Sequence, residues 1–349
     1  MCTVIANLFA ERGYSVRVVV LDDGDGPLRA DLAKNVPVLA LGVRRARYAV
    51  PPLYRFLRQS AAPQVLVFNH QLLAMLLCLR PIARSKTRFV LRNISTLSEK
   101  LAAERSLWHG RVVHGLARYT IARADHVIAQ SEGMALDLVA NYAVPEENIT
   151  VVNNAVSPQM LLKRGDKIHK RRGYEVVFVG RLHAVKDLSL LLNAFVRLKS
   201  VLPSAFLSIY GDGPERDALV SQVTKLGLEA SVFFHGQVAN VADCYTRANV
   251  TVLTSLYEGF PNCLIESITI GTPIVSVNCR SGPSEIIRPG RNGYIVQTRH
   301  PQDFADALLL ASRTHWDPET VRATSTKFKP DFVFRKYEQI LFPDRNSVQ

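Results

Sequence analysis

Two glutamates, Glu258 and Glu266, lie on either side of a turn in the second half of the chain. The apolar run Val250–Thr254 predicts a strand before them, Gly259 and Pro261 indicate the turn, and a helical pattern follows. A strand–turn–helix leaves backbone N–H groups at the start of the helix, where an anion binds well. We expect Glu266 to accept hydrogen bonds from ribose hydroxyls and Glu258 to hold a sugar hydroxyl. The alternative is a pair of solvated glutamates.

Two cations, Arg181 and Lys186, follow an earlier strand that ends at Gly180. Asp187 is placed to cap the next helix, so both cations belong to a loop at the carboxyl end of a strand. Arginine binds phosphate oxygens in fork geometry and lysine acts as a point charge, and the pair therefore suits a diphosphate. Ordinary surface cations are the alternative.

Three further loops follow strands in the same half of the chain. Gly211 and Gly213 follow a strand and allow a ligand to approach the backbone, although Arg216 breaks the full G-x-G-x-x-G pattern and a structural turn explains the glycines equally well. His235-Gly236 and Gly282–Glu285 follow two other strands. Each signal is weak alone, but all five loops are predicted to meet at one edge of one sheet.

The elements that must position these residues are strands alternating with helices, which predicts parallel sheets with helices on both faces. The 349 residues suit two such domains, with a ligand cleft between them at the carboxyl ends of the strands. The segment before Gly173 is polar and basic, as linkers are. The predicted parts are an N-terminal Rossmann-like domain (1–160), a linker (161–173), a C-terminal donor domain (174–325), and a helix and tail (326–349) packing toward the N-terminal domain.

Composition excludes several classes of protein. The apolar fraction of 48% and charged fraction of 21% are those of an ordinary globular protein. The five cysteines are odd in number and form no C-x-x-C pair, which argues against disulfide and structural zinc frameworks and favours a reducing compartment. The N-terminus has no signal-peptide pattern. Gln59–Leu79 lacks charged residues but contains Pro63 and Asn69, so a strand, loop and helix explain it better than a membrane span.

Most of the net charge of +13 is concentrated in one segment. Between Arg44 and Arg123 there are fifteen Lys and Arg residues against two acidic residues. Such a face suits nucleic acid, acidic lipid headgroups or a phosphorylated substrate, or is simply solvated. No nucleic-acid recognition motif accompanies it, so we expect no nucleic-acid partner. Trp108, which lies among arginines on a helical stretch, favours an anionic membrane surface.

At this point the second half resembles the donor domain of family 4 glycosyltransferases, which are retaining, metal-independent enzymes of the GT-B fold. The resemblance covers about Tyr174 to Ala311. Five motifs match in order: Gly180-Arg181-Leu182 with Lys186-Asp187, Gly211-Asp212-Gly213-Pro214-Glu215, His235-Gly236, Glu258-x7-Glu266, and Gly271-Thr272-Pro273.

The resemblance implies a role for each matched residue. Arg181 and Lys186 would neutralise the donor diphosphate, Glu266 would bind the ribose, and Glu258 would contact the donor sugar. The resemblance implies no metal, because the two cations and the helix N-terminus supply the positive charge, and it implies no cofactor, because the nucleotide sugar is itself a substrate. The implied catalytic residues are Glu258, Arg181, Lys186 and His70, and the implied donor-binding residues are Gly180, Gly211, Gly213, His235, Gly259, Phe260, Pro261, Asn262, Cys263, Leu264 and Glu266.

The first half resembles the family more loosely. Phe68-Asn69-His70 corresponds to the place where the family has a strand-end histidine close to the donor sugar. A structural histidine is equally compatible with this position. Glu11–Val16 resembles the end of the family's first helix and its next strand, so we expect the family's opening strand and glycine-rich loop to be missing from this chain.

The sequence therefore predicts an α/β protein of the GT-B type, with two Rossmann-like doubly wound parallel-sheet domains facing a cleft. The expected activity is retaining transfer of a hexose or N-acetylhexosamine from a nucleoside diphosphate sugar, UDP in preference to GDP, to a saccharide or lipid-linked saccharide in cell-surface polysaccharide assembly. The expected location is cytoplasmic, with peripheral attachment to the inner face of the plasma membrane. The alternatives are a non-catalytic nucleotide-sugar-binding remnant and, with only an incomplete fingerprint to support it, a dinucleotide-dependent oxidoreductase.

Overall fold

Short apolar strands alternate with helices along the whole chain, and they build two α/β units. The computed structural model describes residues 1–22, 29, 31–93, 107–162 and 173–343. One unit comprises Met1–Ala155 together with Pro330–Gln349, and the other comprises Val156–Lys329. The division between them thus falls after Ala155 and again after Lys329, rather than at 160 and 325.

The first unit contains two separate parallel sheets. Strands β1 and β2 pair with each other, and β3 to β6 form a four-stranded sheet in the order β3-β4-β5-β6. The strands are β1 (Val18–Val20), β2 (Val38–Ala40), β3 (Gln64–Val67), β4 (Arg88–Arg92), β5 (His126–Ala129) and β6 (Ile149–Val151). The helices are α1 (Cys2–Glu11), α2 (Val50–Gln59), α3 (His70–Ile82), α4 (Leu107–Ile121) and α5 (Glu132–Tyr142), with α14 (Pro330–Leu341) added from the end of the chain.

Both faces of the four-stranded sheet are covered, because successive residues of a strand point to opposite faces. Phe89 and Leu91 of β4 belong to the apolar cluster formed with α2, α3 and α5. Val90, between them, belongs to the cluster formed with α1 and α14. The last helix is tied to this sheet by Arg92, whose Nε donates to the Tyr337 hydroxyl at 2.6 Å.

The second unit is a single six-stranded parallel sheet in the order β12-β11-β10-β7-β8-β9. Its strands are β7 (Tyr174–Val179), β8 (Ala205–Tyr210), β9 (Val232–Gly236), β10 (Val250–Leu253), β11 (Ile274–Val277) and β12 (Gly293–Val296). Its helices are α6 (Pro158–Leu162), α7 (Leu188–Val201), α8 (Arg216–Lys225), α9 (Val241–Arg247), α10 (Asn262–Ile270), α11 (Pro283–Ile286), α12 (Pro301–Arg313) and α13 (Pro318–Ala323).

The strand order of the second unit reverses beside β7. The chain runs outward from β7 through β8 to β9, then returns to place β10 on the other side of β7. In an open doubly wound sheet, ligands bind at the carboxyl ends of the strands that flank such a reversal. The loops that follow β7 and β10 therefore define where a ligand is expected.

A further sequence expectation differs from the structure in detail. His235 and Gly236 are the last residues of β9, not the loop after it. The helical stretch that contains Trp108 is described from Leu107 to Ile121 as helix α4. The residues just before it and the linker residues 163–172 lie outside the described residues.

Among the described residues, no helix combines the length and the apolar character needed to cross a membrane. The charge-free stretch Gln59–Leu79, which the sequence analysis weighed as a membrane span, contains strand β3 and most of helix α3.

Candidate active site

The carboxyl ends of β7, β8 and β9 are joined to one another by backbone hydrogen bonds. Gly180 N–H donates to the Tyr210 carbonyl at 3.0 Å, and Gly211 N–H donates to the Gly236 carbonyl at 2.7 Å. Two residues further along both the β7 and the β8 loop, Leu182 N–H donates to the Asp212 carbonyl at 3.0 Å. Three of the predicted strand-end loops thus form one connected edge.

This close approach requires glycine at two positions. A Cβ atom on Gly211 would lie 1.9 Å from the Gly180 carbonyl oxygen, and Gly211 has a φ of +128°. A Cβ atom on Gly213 would lie 2.2 Å from the Leu182 carbonyl oxygen, although its backbone is not left-handed. The glycines therefore allow one loop to pack against the other, in addition to any contact that they make with a ligand.

Lys186 and Glu258 come from the two loops beside the strand reversal and form an ion pair. Lys186 ends a short 3-10 helix after β7, and its Nζ lies 2.5 Å from Glu258 Oε1. The same carboxylate oxygen accepts a hydrogen bond from Ser255 Oγ at 2.6 Å. The side chains of Lys186 and Glu258 are only 23% and 14% exposed. Burial favours the neutral amine, but the Glu258 carboxylate more than offsets this effect and raises the pKa of Lys186 above its usual value.

Arg181 is exposed and lies between Gly180 and the fully buried Leu182. Leu182 belongs to the main apolar core of the unit, which fixes the backbone on which Arg181 stands. Within the described residues, the Arg181 guanidinium has no carboxylate partner and no side-chain hydrogen bond. Arg181 is thus a second cation close in sequence to Lys186, and none of its described contacts is with a carboxylate.

Helix α10, which begins at Asn262, has the positive end of its dipole in the same loop. Its N-cap is Pro261, whose side chain cannot accept a hydrogen bond, and its first turn has no acidic residue. Phe260 and Leu264 are buried and anchor the turn. Gly282 packs against Pro261, since a Cβ there would meet the proline ring at 2.5 Å. The turn from Gly259 to Leu264 therefore presents the start of a helix on a well-packed base.

Glu266 lies one turn into α10, and within the described residues its hydrogen-bond donor is the Tyr245 hydroxyl, 2.8 Å from Oε2. Burial raises the pKa of Glu266 above the ordinary 4.5, and the Tyr245 hydrogen bond only partly offsets that effect. Tyr245 itself is fully buried. Burial removes water from the Glu266 carboxylate, and no cation among its described partners compensates for this loss. Such a carboxylate is suited to binding hydroxyl groups of a ligand.

His235 closes the edge at β9. Its ring is stacked on Tyr210 with 4.4 Å between centroids and 13° between planes. The two strand ends that carry these rings are the ones joined through Gly211 and Gly236. Together they offer a flat aromatic surface beside the glycine loops.

The structure brings all the predicted donor-side residues to one edge of the second unit, but His70 lies in the first unit. It begins helix α3, whose N-cap is Asn69, the side chain of which accepts hydrogen bonds from Gln71 and Leu72. The start of a helix after a strand is the position expected for His70, and its role stays a prediction.

Sequence reasoning missed three residues of this site: Ser255, Tyr245 and Arg299. Ser255 lies just beyond the end of β10, where the strand-end rule could have included it. Tyr245 lies on a helix that packs beside α10, and nothing in its sequence context indicates contact with Glu266. Arg299 follows β12 and donates hydrogen bonds to the carbonyls of Thr254 and Ser255.

No group of three or more His, Cys, Asp or Glu side chains suited to a metal ion occurs within residues 1–22, 29, 31–93, 107–162 and 173–343.

Two α/β units built on parallel sheets, one with a loop site at its strand reversal, are the architecture of glycosyltransferases of the GT-B fold. Two models of glycosyltransferase families together match nearly the whole chain. The one described as Glycosyltransferase Family 4 matches residues 2–160, and the one described as Glycosyl transferases group 1 matches residues 162–323. The chain belongs to the family 4-like glycosyltransferases and is an enzyme of that class.

Individual relatives agree with this assignment. The amylovoran biosynthesis glycosyltransferase AmsD of Erwinia amylovora is 26% identical over 98% of this chain and 94% of its own length. The N-acetylgalactosamine-N,N'-diacetylbacillosaminyl-diphospho-undecaprenol 4-alpha-N-acetylgalactosaminyltransferase of Campylobacter jejuni is 27% identical over 64% of this chain and 60% of its own length. Anabaena HepE, solved in complex with UDP and glucose, shares the fold with a TM-score of 0.78 at 20% identity, over 97% of this chain and 94% of its own.

Replacing Gly213 by alanine tests the contact between the glycine loop and the β7 loop. The new Cβ cannot stay 2.2 Å from the Leu182 carbonyl oxygen, so the loops must separate, at a cost of about 1–3 kcal/mol in the free energy of unfolding. Binding of a nucleoside diphosphate, measured by calorimetry, should weaken in parallel. Gly227→Ala is the matched control, because it has a φ of +65° and open space around it. It should cost about 1 kcal/mol of stability and leave binding unchanged. Unchanged binding by Gly213→Ala would contradict the contact's role.

Glu266→Gln tests whether the raised pKa of Glu266 costs stability. Because folding raises this pKa, the native state holds its proton more tightly than the unfolded state. The contribution of Glu266 to stability is therefore complete below about pH 4.5 and is lost as the pH rises through the folded pKa. Glutamine does not titrate, so the thermal midpoint of the variant should gain on the wild type between pH 4.5 and pH 8. The exposed Glu229→Gln serves as control and should show no such trend; a flat difference for Glu266→Gln would refute the interpretation.

Proposed function

We propose that this chain is a retaining glycosyltransferase that moves a hexose or N-acetylhexosamine from a nucleoside diphosphate sugar to a saccharide or lipid-linked saccharide acceptor. The observation that carries the proposal is the Lys186–Glu258 pair beside the strand reversal, with Arg181 and the start of α10 in the same two loops. The cation and the carboxylate are thus adjacent. A nucleoside diphosphate sugar requires this, because a single bond joins the diphosphate that the cation would bind to the sugar that the carboxylate would bind.

The charges at this edge match the charge that develops during transfer. As the bond between sugar and diphosphate breaks, negative charge accumulates on the leaving phosphate oxygen. Arg181, Lys186 and the helix dipole are fixed in advance where they stabilise that charge, and such preorganised stabilisation is among the largest contributions to catalysis. These groups supply the charge that a metal ion supplies elsewhere, so we propose metal-independent transfer without a cofactor.

The carboxylates divide the donor between them in this proposal. Glu266 accepts hydrogen bonds from the ribose hydroxyls. The Tyr245 hydroxyl bonds to Oε2, and among the described residues no other hydrogen-bond partner of this carboxylate competes with them. Glu258 holds a hydroxyl of the transferred sugar, with its orientation set by Lys186 and Ser255. His70 is proposed to act near the same sugar from the first unit.

The donor base and the pathway rest on the relatives. UDP is the nucleotide present with HepE, which favours UDP over GDP for this chain. AmsD is named for amylovoran biosynthesis, and the Campylobacter jejuni enzyme is named for an acceptor linked to diphospho-undecaprenol. Cell-surface polysaccharide assembly with a lipid-linked acceptor is therefore the proposed setting, in the cytoplasm and at the inner face of the plasma membrane.

Calorimetry with UDP, GDP, ADP and dTDP tests the donor site directly. We expect UDP to bind with a micromolar dissociation constant and Glu266→Ala to weaken it by about tenfold or more, because charged hydrogen bonds to the ribose are lost. Glu229→Ala, an exposed glutamate on the same unit, should bind as the wild type does. Binding of none of the four nucleotides would refute the proposed donor site. Binding without hydrolysis or transfer of UDP-sugars would instead support a non-catalytic nucleotide-sugar-binding protein.

A membrane-facing role for the first unit is proposed from its surface. Not every arginine of the basic segment is available: Arg92 is 2% exposed and Arg80 pairs with Asp125 at 2.6 Å. The remaining exposed cations accompany exposed apolar side chains, including Tyr48, which is 58% exposed. Cations next to apolar side chains suit the interface of an anionic bilayer. The large exposed apolar residues among the described part of this unit are Tyr48, Val50, Ile82, Leu116, Tyr119, Leu136, Val139 and Phe332.

Sedimentation with liposomes tests this surface. At low salt, vesicles containing anionic lipid should retain the wild-type chain, and a variant with glutamine at positions 44, 45 and 47 should be retained several-fold less, since each cation near such a surface contributes about 1 kcal/mol. A charge-matched control with glutamine at positions 197, 291 and 313 of the second unit should behave as the wild type does. Equal retention of both variants, or no retention of the wild type, would exclude this surface.

A further inference from the structure

The loops that carry Lys186 and Glu258 are connected to each other before any ligand binds. Thr254 Oγ1 donates to the Lys186 carbonyl at 2.9 Å, and Leu256 N–H donates to the Val185 carbonyl at 2.8 Å. One side-chain and one backbone hydrogen bond therefore link the segment after β7 to the segment after β10. The separation of the catalytic cation and carboxylate therefore depends on how firmly the two loops are held together.

Arg299 makes three further contacts that connect the same two loops. Its guanidinium donates to the Ser255 carbonyl at 3.0 Å through Nη1 and to the Thr254 carbonyl at 2.7 Å through Nη2. Nη2 also lies 2.5 Å from Asp187 Oδ2. A planar fork with several fixed donors can satisfy two consecutive carbonyls and a carboxylate at once, whereas a lysine ammonium cannot do so with the same geometry.

Asp187 shows that this arrangement is costly and specific. It has a φ of 43° and a ψ of 55°, in the left-handed region that a non-glycine residue seldom adopts. Both of its carboxylate oxygens are used: Oδ1 accepts from Leu190 N–H at 3.4 Å as the cap of α7, and Oδ2 pairs with Arg299. Backbone strain of this kind persists where the surrounding contacts determine the conformation, and it clusters at functional sites.

We infer that Arg299 is a positioning residue that fixes Lys186 and Glu258 relative to each other for the donor. It acts through the backbone of Thr254 and Ser255 and through Asp187, and its charge is compensated by Asp187. Arg299 lies outside the five motifs by which the donor domain was recognised and comes from a third loop, after β12. The inference rests on the proposed function, because the residues that it positions are the proposed donor ligands.

A surface ion pair alone would not support this role. The Arg299 and Asp187 side chains are 35% and 27% exposed, and exposed pairs contribute little to stability. The distinguishing contacts are those to the two carbonyls at the end of β10, since Ser255 also donates to Glu258. If Arg299 were only a surface cation, its loss would not reach the donor site.

Calorimetry with UDP measures the effect on the site. Arg299→Met should weaken UDP binding about tenfold, because contacts between a charged donor and backbone carbonyls are lost. Arg299→Lys keeps the charge but not the fork, so it should recover only part of the affinity. Arg197→Met is the matched control: this exposed arginine bonds to Gln302 on α12, away from the strand-end loops, and its loss should leave binding unchanged. Wild-type affinity in Arg299→Met would overturn the inference.

A double variant separates positioning from a direct contact with the ligand. If Arg299 acts through Lys186, then Arg299→Met should cost little further UDP affinity once Lys186→Ala is present, and ligand-observed NMR can follow the weak binding that remains. Residues that act on one another are non-additive, whereas independent contacts add. A full additive loss would overturn the positioning role.

Amide hydrogen exchange tests the role of Arg299 independently of the proposed function. In Arg299→Met, and in Asp187→Gly, which tolerates the left-handed backbone without the carboxylate, exchange at Leu256 and Lys186 should accelerate, while the core strand β8 should not change. Equal protection in all variants would overturn the inference even if UDP binds. If the wild type binds no nucleotide, the proposed function fails, and the exchange comparison still decides whether Arg299 holds the loops.

Discussion

The reversal of strand order beside β7 is the constraint on which the second unit depends. β7 pairs with β8 on one side and with β10 on the other, so the loops after β7 and β10 leave the sheet side by side. The first loop carries Lys186 and the second carries Glu258, and their contact follows from the pairing of strands that are about seventy residues apart in sequence. The glycine contacts at β8 and the stacked rings at β9 extend the same edge outward. Every donor-side residue therefore takes its place from the register of one sheet.

The polar groups at this edge are arranged for binding at some expense of stability. Removing one member of a partly buried ion pair destabilises a protein, but the pair itself adds little because both charges lose water. Glu266 is a clearer case, because its carboxylate is desolvated with only a hydroxyl donor beside it. The left-handed Asp187 adds backbone strain. Local violations of folding rules that coincide at one edge are the expected signature of a functional site.

The sequence predicts the fold class and the identity of this edge better than it predicts the boundaries. Asp187 was predicted to cap the next helix, and helix α7 begins directly after it at Leu188, since a capping side chain is a local signal. The division between the units was harder to locate. Val156 and Met160 pack into apolar clusters of the second unit, so the chain joins that unit before the polar linker begins. Contacts between distant segments decide such boundaries, and a sequence window does not contain them.

The same limit explains the residues that were missed and one that was misjudged. Arg299 and Tyr245 come within reach of the site only because β12 and α9 are folded against it, and neither has a local pattern. Conversely, the basic segment of the first unit looked uniform in sequence, yet Arg92 is buried against Tyr337 and Asn154. The Arg92 guanidinium has no carboxylate among its described partners, and it attaches helix α14 to the sheet. This helix belongs to the first unit although it follows the whole second unit in sequence. Counting charges along the sequence therefore overstates the positive charge on the surface, because long-range contacts bury some of the cations. Selecting residues by their position at strand ends likewise misses part of the site, because long-range contacts bring further residues to it.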